Sequence, residues 1–315
     1  MNRPPIINES ITTPSLVITG SFLFCAKGII VKALFEEGLS PNAVMALRML
    51  SALPFFLIMV ALRWHQLSQI TRRDWAQMGV LAFVGFFLCS LINFTGLQYV
   101  SVGLERIILF SYPSIVLAGS FLFQGKRPTL PMLSACFLSW IGLTIMVRDE
   151  IHLTGNSTWI LYGTLLILLS AGIYAGYILL AKPIIQRVGT QLYTGISMSL
   201  SACFVLLYFS LTGGEYNQLV KSQQVLSYGL VIGILGTVAP TFLLSYGLSK
   251  ISADAYAVIS SIGPVATIAL ATGLAGQMPT LAQCLGIGLS IVGAILAAKP
   301  KSPIALSPLK RPTTT

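Results

Sequence analysis

The sequence predicts an all-α integral membrane protein whose ten transmembrane helices form two inverted five-helix repeats. Three observations support this fold class. The 315-residue chain is 55% hydrophobic and only 9% charged, whereas a soluble domain is about 25% charged. Several of its apolar runs reach the roughly 20 residues that a helix needs to cross a ~30 Å hydrocarbon layer. The chain also repeats itself at a fixed spacing, and its positive charges are concentrated in alternate loops.

Breaks between the apolar runs define the predicted helices. Clusters of glycine and proline, as at residues 38–41, or of charged residues, as at 63–74, separate consecutive runs. The predicted spans are, in order, 14–34, 41–62, 74–97, 101–123, 129–147, 158–182, 190–211, 225–248, 253–275 and 279–298. We expect the first span to be a retained helix, because no small-residue cleavage site accompanies it.

An internal repeat relates the two halves of the chain. When the sequence is shifted by 151 residues, residues 94–147 align with residues 245–298 without a gap. Thirteen positions are then identical: Gly96/Gly247, Leu97/Leu248, Ser101/Ser252, Ile108/Ile259, Pro113/Pro264, Ala118/Ala269, Gly125/Gly276, Pro128/Pro279, Thr129/Thr280, Leu130/Leu281, Leu138/Leu289, Ser139/Ser290 and Gly142/Gly293. Many of these are glycine or proline, which constrain the backbone, so the copies share a backbone plan.

The repeat divides the chain into segments, and the charge distribution orients them. The predicted segments are a cytoplasmic segment 1–13, a first repeat 14–147, an external linker 148–157, a second repeat 158–298 and a disordered cytoplasmic tail 299–315. Five helices per copy would place the second copy in the opposite orientation. With both termini in the cytoplasm, inward-facing segments carry 13 lysines and arginines and outward-facing segments carry three, in agreement with the positive-inside rule.

Composition and motifs argue against other functional classes. The net charge of +10 fits loops beside an anionic membrane surface, and no basic domain indicates nucleic-acid binding. All five cysteines lie in apolar runs and both histidines lie in loops, so we expect neither disulfides nor a metal. The sequence has no Walker A, HExxH or GxSxG motif. We therefore expect no cofactor and no catalytic activity.

Both copies carry the same series of local motifs: a Gly-Leu pair ending a span, a short turn, a serine, a helix containing proline, and a glycine break. They read Gly96-Leu97, Ser101 and Pro113 in one copy and Gly247-Leu248, Ser252 and Pro264 in the other. This pattern, over roughly residues 14–298, resembles the EamA-type transporters of the drug/metabolite transporter superfamily. The chain departs from it at Lys126 and Gln277, where the family often has glutamate.

The resemblance implies a secondary carrier in the cytoplasmic (inner) membrane that exports small metabolites, frequently amino acids, by alternating access. It implies a substrate site between helices 1, 3 and 4 and helices 6, 8 and 9. The expected partners are a small-molecule substrate, the lipid bilayer and, as a coupling ion, protons; the expected state is a monomer or weak dimer. The alternatives are a non-transporting sensor or assembly subunit, and a lipid-modifying membrane enzyme.

Away from the ends of the predicted spans, where Lys32, Asp74, Lys182 and Asp254 lie, four charged residues remain: Lys27, Arg48, Glu105 and Arg106. A charge at the centre of the bilayer costs about 2.5–3.5 kcal/mol on insertion scales, so each requires an explanation. In the functional interpretation Lys27, Glu105 and Arg106 face a polar cavity, where Glu105 titrates and couples transport to protons while a cation binds a substrate carboxylate. In the structural interpretation Arg48 or Arg106 pairs with Glu105 or with backbone carbonyls. The residues alone leave both open, although we prefer pairing for Arg48.

Further candidate residues surround the two repeated prolines. Pro113 and Pro264 are predicted hinges beside a central substrate pocket, because each removes a helix donor. The predicted polar lining lies near these prolines or on the substrate helices. It consists of Tyr112, Tyr256, Ser260, Ser261 and Asn93. Asn93 binds either substrate or a neighbouring helix. Tyr174 and Tyr177, beside the Gly172-x-x-x-Gly176 motif, either fill gaps at a close helix contact or form aromatic walls.

Overall fold

The computed structural model describes residues 9–109, 111–125, 130–214 and 216–260, together with residues 281, 284, 285 and 288. Within these residues the regular structure is helical and contains no strand. Pro264, Ser261, the tail 299–315 and almost all of the predicted span 279–298 lie outside the described residues. The predicted span 253–275 is described only to residue 260.

The helices follow the predicted spans. They are α1 Glu9–Glu36, α2 Pro41–Ala61, α3 Arg72–Leu97, α4 Val102–Leu109, α5 Tyr112–Gln124, α6 Leu130–Thr154, α7 Ser157–Val188, α8 Thr190–Leu211, α9 Tyr216–Leu219, α10 Gln223–Lys250 and α11 Ala253–Ser260. Seven segments of the described chain are long and apolar enough to cross a membrane, and they correspond to predicted spans 1–4 and 6–8. The chain is therefore a multi-pass helical membrane protein, while the total of ten helices and their inverted arrangement stay predictions.

Helix ends follow the local sequence. Ser40 precedes α2, accepts a hydrogen bond from the Ala43 backbone N–H and is followed by Pro41 in the first turn. Thr71 caps α3 in the same way through the Asp74 backbone N–H. At the other end of a helix, Gly125 follows α5 with a φ of +65°, a left-handed conformation that glycine adopts without strain.

The region between the copies differs from the predicted linker 148–157. Helix α6 continues through most of it, to Thr154, and α7 begins at Ser157. The charged residues do not end α6, because the Glu150 carboxylate accepts hydrogen bonds from the backbone N–H and the hydroxyl of Ser101, both at 2.5 Å. This carboxylate thereby fastens the end of α6 to the N-terminus of α4.

Helix positions and packing recur at the spacing of the sequence repeat. Helices α3 and α10 begin 151 residues apart, as do α4 and α11. Helices α3 and α10 each contain a π-helical segment, at Ala82–Leu88 and Ile234–Val238. Helix α1 packs on α10 as α7 packs on α3, and α2 packs on α8. The same elements of the two halves therefore occupy comparable surroundings.

Glycines allow the closest helix approaches, although not all of those predicted. A Cβ added at Gly233 of α10 would lie 2.5 Å from the Ser51 Cβ of α2, and one at Gly96 would lie 2.7 Å from an Ile167 side-chain atom. By contrast, a Cβ at Gly172 or Gly176 would meet no described atom within 4 Å. The close contact predicted for that motif is therefore not made with any described helix.

Candidate functional site

A buried cavity of about 70 Å³ lies among helices of both halves of the chain. Helices α1, α3, α4, α5, α7, α10 and α11 contribute its walls. Its lining residues are Ser21, Phe24, Cys25, Lys27, Cys89, Ser90, Asn93, Arg106, Leu109, Tyr112, Ser170, Tyr174, Leu244, Tyr256 and Ser260. We call this space the first chamber.

A second chamber of about 60 Å³ adjoins the first. The residues common to both linings are Phe24, Lys27, Cys89, Ser90, Tyr174, Leu244 and Tyr256. The second chamber also reaches Arg48, Tyr177 and the π-helical segment of α10 at Gly236 and Thr237. The two chambers are therefore immediate neighbours that share seven lining residues.

The π-helical segments position two side chains at the chambers. Gly236 of α10 faces Lys27 of α1, and an added Cβ would lie 3.5 Å from the Lys27 Cβ. Gly85 of α3 faces Tyr177 of α7, where an added Cβ would lie 2.7 Å from a ring atom. The two glycines are 151 residues apart and the two facing residues 150 apart. Such π-helical turns occur frequently at functional sites, since they redirect side chains within a helix.

The only acidic side chain in this region of the described chain belongs to Glu105, which is fully buried. One of its oxygens lies 2.8 Å from the Arg106 Nε, and the other accepts a hydrogen bond from the Asn93 Nδ2 at 3.1 Å. Glu105 lines neither chamber, whereas Arg106 and Asn93 line the first. The carboxylate therefore lies behind Arg106 and neutralises it.

Two more cations lie beside this ion pair. Lys27 and Arg48 are 4% and 3% exposed. The Lys27 Nζ lies 4.1 Å from the centre of the Phe24 ring and 5.2 Å from that of Phe94, and the Arg48 guanidinium lies 5.1 Å from the Phe94 centre. When the cation is desolvated, a cation–π contact stabilises it by about 2 kcal/mol. Aromatic faces thus replace counter-charges in holding these cations.

Some donors of the two arginines have no partner among the described residues. Arg48 donates from its Nη2 to the Ser90 hydroxyl at 3.2 Å, but its buried Nε has no hydrogen-bond acceptor there. The Arg106 Nη2 is likewise buried without a described acceptor. Buried donors are normally satisfied, so these atoms mark a place where an acceptor is expected.

Tyrosines form another part of the lining. The Tyr174 and Tyr256 hydroxyls lie 3.0 Å apart, and the Tyr112 hydroxyl contacts Ser260 and donates to the Ala257 carbonyl at 3.3 Å. The rings of Tyr112 and Tyr174 meet edge to face with centres 5.3 Å apart. The hydroxyls are thereby occupied, so these residues present mainly ring surface to the chamber.

The structure brings most of the predicted site residues together. Those lining a chamber are Lys27, Asn93, Arg106, Tyr112, Tyr174, Tyr177, Tyr256 and Ser260, while Glu105 contacts the lining from behind. Pro113 lies in the first turn of α5, just after the interruption between α4 and α5. Their contribution to substrate binding, and the hinge role of Pro113, stay predictions.

Sequence reasoning did not identify several lining residues, among them Phe24, Ser90 and Ser170. Each lies three or four positions before a predicted residue on the same helix: Phe24 before Lys27, Ser90 before Asn93 and Ser170 before Tyr174. This spacing puts the two side chains on one helix face. Including the residue one helical turn before each predicted residue would therefore have identified them.

Polar contacts also join the two halves at one end of the bundle. The Arg187 guanidinium of α7 donates twice to an Asp74 carboxylate oxygen of α3, at 2.8 and 3.1 Å, and to the Gln77 side chain at 3.0 Å. At the same end Arg63 donates to the Gln191 side chain at 3.2 Å. These contacts join the halves across the end that the charge distribution predicts to be cytoplasmic.

Comparisons with known proteins agree with this architecture. A sequence model of the EamA-like transporter family matches residues 12–148 and again residues 161–299. The chain is 30% identical over 287 residues to the uncharacterized transporter YcbK of Bacillus subtilis (strain 168), covering 90% of this chain and 91% of that protein. It is 23% identical over 231 residues to an uncharacterized transporter of Archaeoglobus fulgidus, covering 73% and 79% respectively. A solved crystal structure that is 16% identical shares the fold, with a TM-score of 0.68 over 91% of this chain and 95% of that one.

Proposed function

Because the chain belongs to the EamA-like transporter family, we propose that it is a secondary carrier that exports a small metabolite across the cytoplasmic membrane. The proposed mechanism is alternating access between two inverted five-helix repeats, with both termini in the cytoplasm. Amino acids and related metabolites are the substrate class that the family resemblance implies. The carrier would act as a monomer or weak dimer.

One observation carries the proposal: a mainly apolar cavity between helices of the two halves has Lys27, Asn93 and Arg106 in its lining. Its walls come from α1, α3, α4 and α5 on one side and from α7, α10 and α11 on the other. Transporters built from repeats bind their substrates where the repeats meet. Buried charges such as Lys27 and Arg106 are costly within a membrane, and they are retained mainly where they serve a substrate or ion pathway.

The Asp74–Arg187 ion pair supports the alternating-access part of the proposal. Asp74 and Arg187 lie on different halves, so separating the halves at their end of the bundle breaks their ion pair. Arg187 is about half exposed, and a pair of this kind stabilises weakly because water screens it. A weak contact suits a gate, since it must open during each cycle.

Proton coupling through Glu105 belongs to the proposal as a separate step. Glu105 is paired with Arg106 and bonded to Asn93, so it would take up a proton only when Arg106 turns to another anion. A substrate carboxylate in the first chamber would supply that anion. Substrate binding and proton uptake would then be linked through Arg106.

The test is uptake of a labelled panel of amino acids and metabolites into proteoliposomes, with and without a pH gradient. The proteins compared are wild type, Glu105→Gln and the exposed control Glu36→Gln, with uptake expressed per folded protein. Gradient-stimulated uptake that only Glu105→Gln loses supports a proton-coupled carrier. Uptake that depends neither on the pH gradient nor on the substitution refutes the coupling role of Glu105 but still supports a carrier. Folded protein that transports no compound of the panel refutes the carrier and favours the non-transporting sensor.

A further inference from the structure

The chambers contain more positive than negative charge. Lys27, Arg48 and Arg106 are each 4% exposed or less, and Glu105 is the single carboxylate beside them. That carboxylate already contacts Arg106 and Asn93. Two cations therefore lie in the membrane interior with aromatic rings and a serine hydroxyl as partners but without a described counter-charge.

Among the described residues, no other carboxylate lies beside these cations. The remaining aspartates and glutamates lie at helix ends or between helices in the sequence: Glu9, Glu36, Glu37, Asp74, Asp149, Glu150, Glu215 and Asp254. Residues 261–298, which complete the second copy, contain neither aspartate nor glutamate. Asp254, at the start of α11, accepts a hydrogen bond from Ser120 at 2.8 Å. The excess positive charge is therefore a property of the whole sequence.

This imbalance identifies the chemistry of the ligand, and the inference rests on the carrier function proposed above. We propose that the substrate is a small organic anion whose carboxylate binds at Lys27, Arg48 and Arg106. Bound there, it would neutralise excess charge and accept from the unpartnered Arg48 and Arg106 donors. Charge-assisted hydrogen bonds of this type are about twice as strong as neutral ones.

The same reasoning disfavours a free amino acid. Its ammonium group would add another cation to a site where, among the described residues, Lys27, Arg48 and Arg106 already outnumber the single carboxylate of Glu105. The Tyr174 and Tyr256 hydroxyls bond to each other and so are not free to replace it. An organic acid without an amino group therefore fits the site better than its zwitterionic counterpart.

The arrangement of the walls also orients the anion. The four charged residues at the chambers, Lys27, Arg48, Glu105 and Arg106, lie in the first copy, while Tyr174, Tyr177 and Tyr256 come from the second. The rings of these tyrosines and of Tyr112 line the same chambers as the cations. A ligand with a carboxylate at one end and an apolar or aromatic body at the other satisfies both walls at once.

Three probes with one carbon skeleton isolate the charge requirement: 3-phenylpropionate is an anion, 3-phenylpropionamide is neutral and phenylalanine is a zwitterion. Acetate and benzoate, each with its amide, extend the series to smaller bodies. Two readouts are measured for every probe: thermal stabilisation of the purified full-length protein in detergent, and uptake into proteoliposomes. We expect at least one acid to stabilise the protein and to enter at least tenfold faster than its amide or than phenylalanine.

Variants of one helix provide the controls. Lys27→Met should remove most of the preference for the acid, whereas Lys27→Arg should keep it because the cation remains. Lys32→Met removes a lysine of the same helix that lines neither chamber, so it should leave the preference unchanged. Lys27→Met relieves rather than creates a buried charge, so we expect it to fold.

The outcomes separate this inference from the carrier function. Equal or faster uptake of phenylalanine or of the amides overturns the anion inference and leaves a carrier. Acids that stabilise the protein through Lys27 but never enter the liposomes keep the anion site and overturn the carrier. Folded protein that neither binds nor transports any acid overturns the inference, and the metabolite panel then decides the carrier function separately.

Discussion

Removing the Glu105 carboxylate is the most informative perturbation of the buried charge cluster. The substitution Glu105→Gln keeps the size of the side chain and an oxygen for Asn93, but it eliminates the charge 2.8 Å from the Arg106 Nε. Three cations would then lie buried without a carboxylate. Removing one partner of a buried ion pair costs about 3–5 kcal/mol, because an uncompensated charge is left behind. We expect a loss at the lower end of this range, since the amide still bonds to Asn93.

A double substitution tests the origin of that loss. Glu105→Met combined with Arg106→Met removes both charges and keeps apolar volume, and such replacements are often neutral or stabilise by about 1–4 kcal/mol. The double variant should therefore be more stable than Glu105→Gln. Thermal unfolding in detergent measures the series, and the exposed control Glu36→Gln should match wild type. A Glu105→Gln protein as stable as wild type, or a double variant less stable than Glu105→Gln, would refute the electrostatic reasoning.

Two further predictions concern other parts of the fold. Gly85→Ala should destabilise the protein by about 1–3 kcal/mol, the usual cost of overpacking, because the added Cβ would lie 2.7 Å from a Tyr177 ring atom. Thermal unfolding in detergent measures this loss. The control Gly79→Ala lies on the same helix, where an added Cβ meets nothing within 4 Å, and it should be neutral or stabilising. Arg187→Gln should barely change the unfolding temperature. If the ion pair with Asp74 gates access, the substitution should accelerate maleimide labelling of Cys89, which lines both chambers, from that end of the bundle. Exchanging the two charges should restore the slow labelling, and an unchanged rate in Arg187→Gln would show that this pair does not gate access.

Much of the site was predictable because membrane burial makes polar residues conspicuous. Lys27, Asn93 and Arg106 stand out within apolar spans, and all three line the first chamber. Arg48 was assigned a pairing role with Glu105 or backbone, yet it contacts Ser90 and the Phe94 ring and lines the second chamber. Sequence spacing indicates which residues share a helix face. It does not indicate which neighbouring helix that face will meet.

The Gly172 and Gly176 pair illustrates the same limit. Its spacing is that of a close helix contact, but no described atom lies near enough to require glycine at either position. Gly96 and Gly163, which are not spaced as such a motif, do form a close approach: an added Cβ at Gly163 would lie 2.9 Å from the Gly96 carbonyl oxygen. The two glycines lie on different helices, so no pattern within one helix relates them.

The sequence by itself determined the seven membrane-spanning segments of the described chain, most of their ends within a few residues, and the duplicated motifs. These depend on hydrophobicity, length and backbone preferences, which act over short stretches of sequence. The tertiary structure alone decided that Glu105 lies behind Arg106, and that Tyr112 meets Ser260 across 148 residues of sequence. Contacts of this kind depend on how separate helices pack, because each helix presents several faces and only packing selects the one that is buried against a given partner.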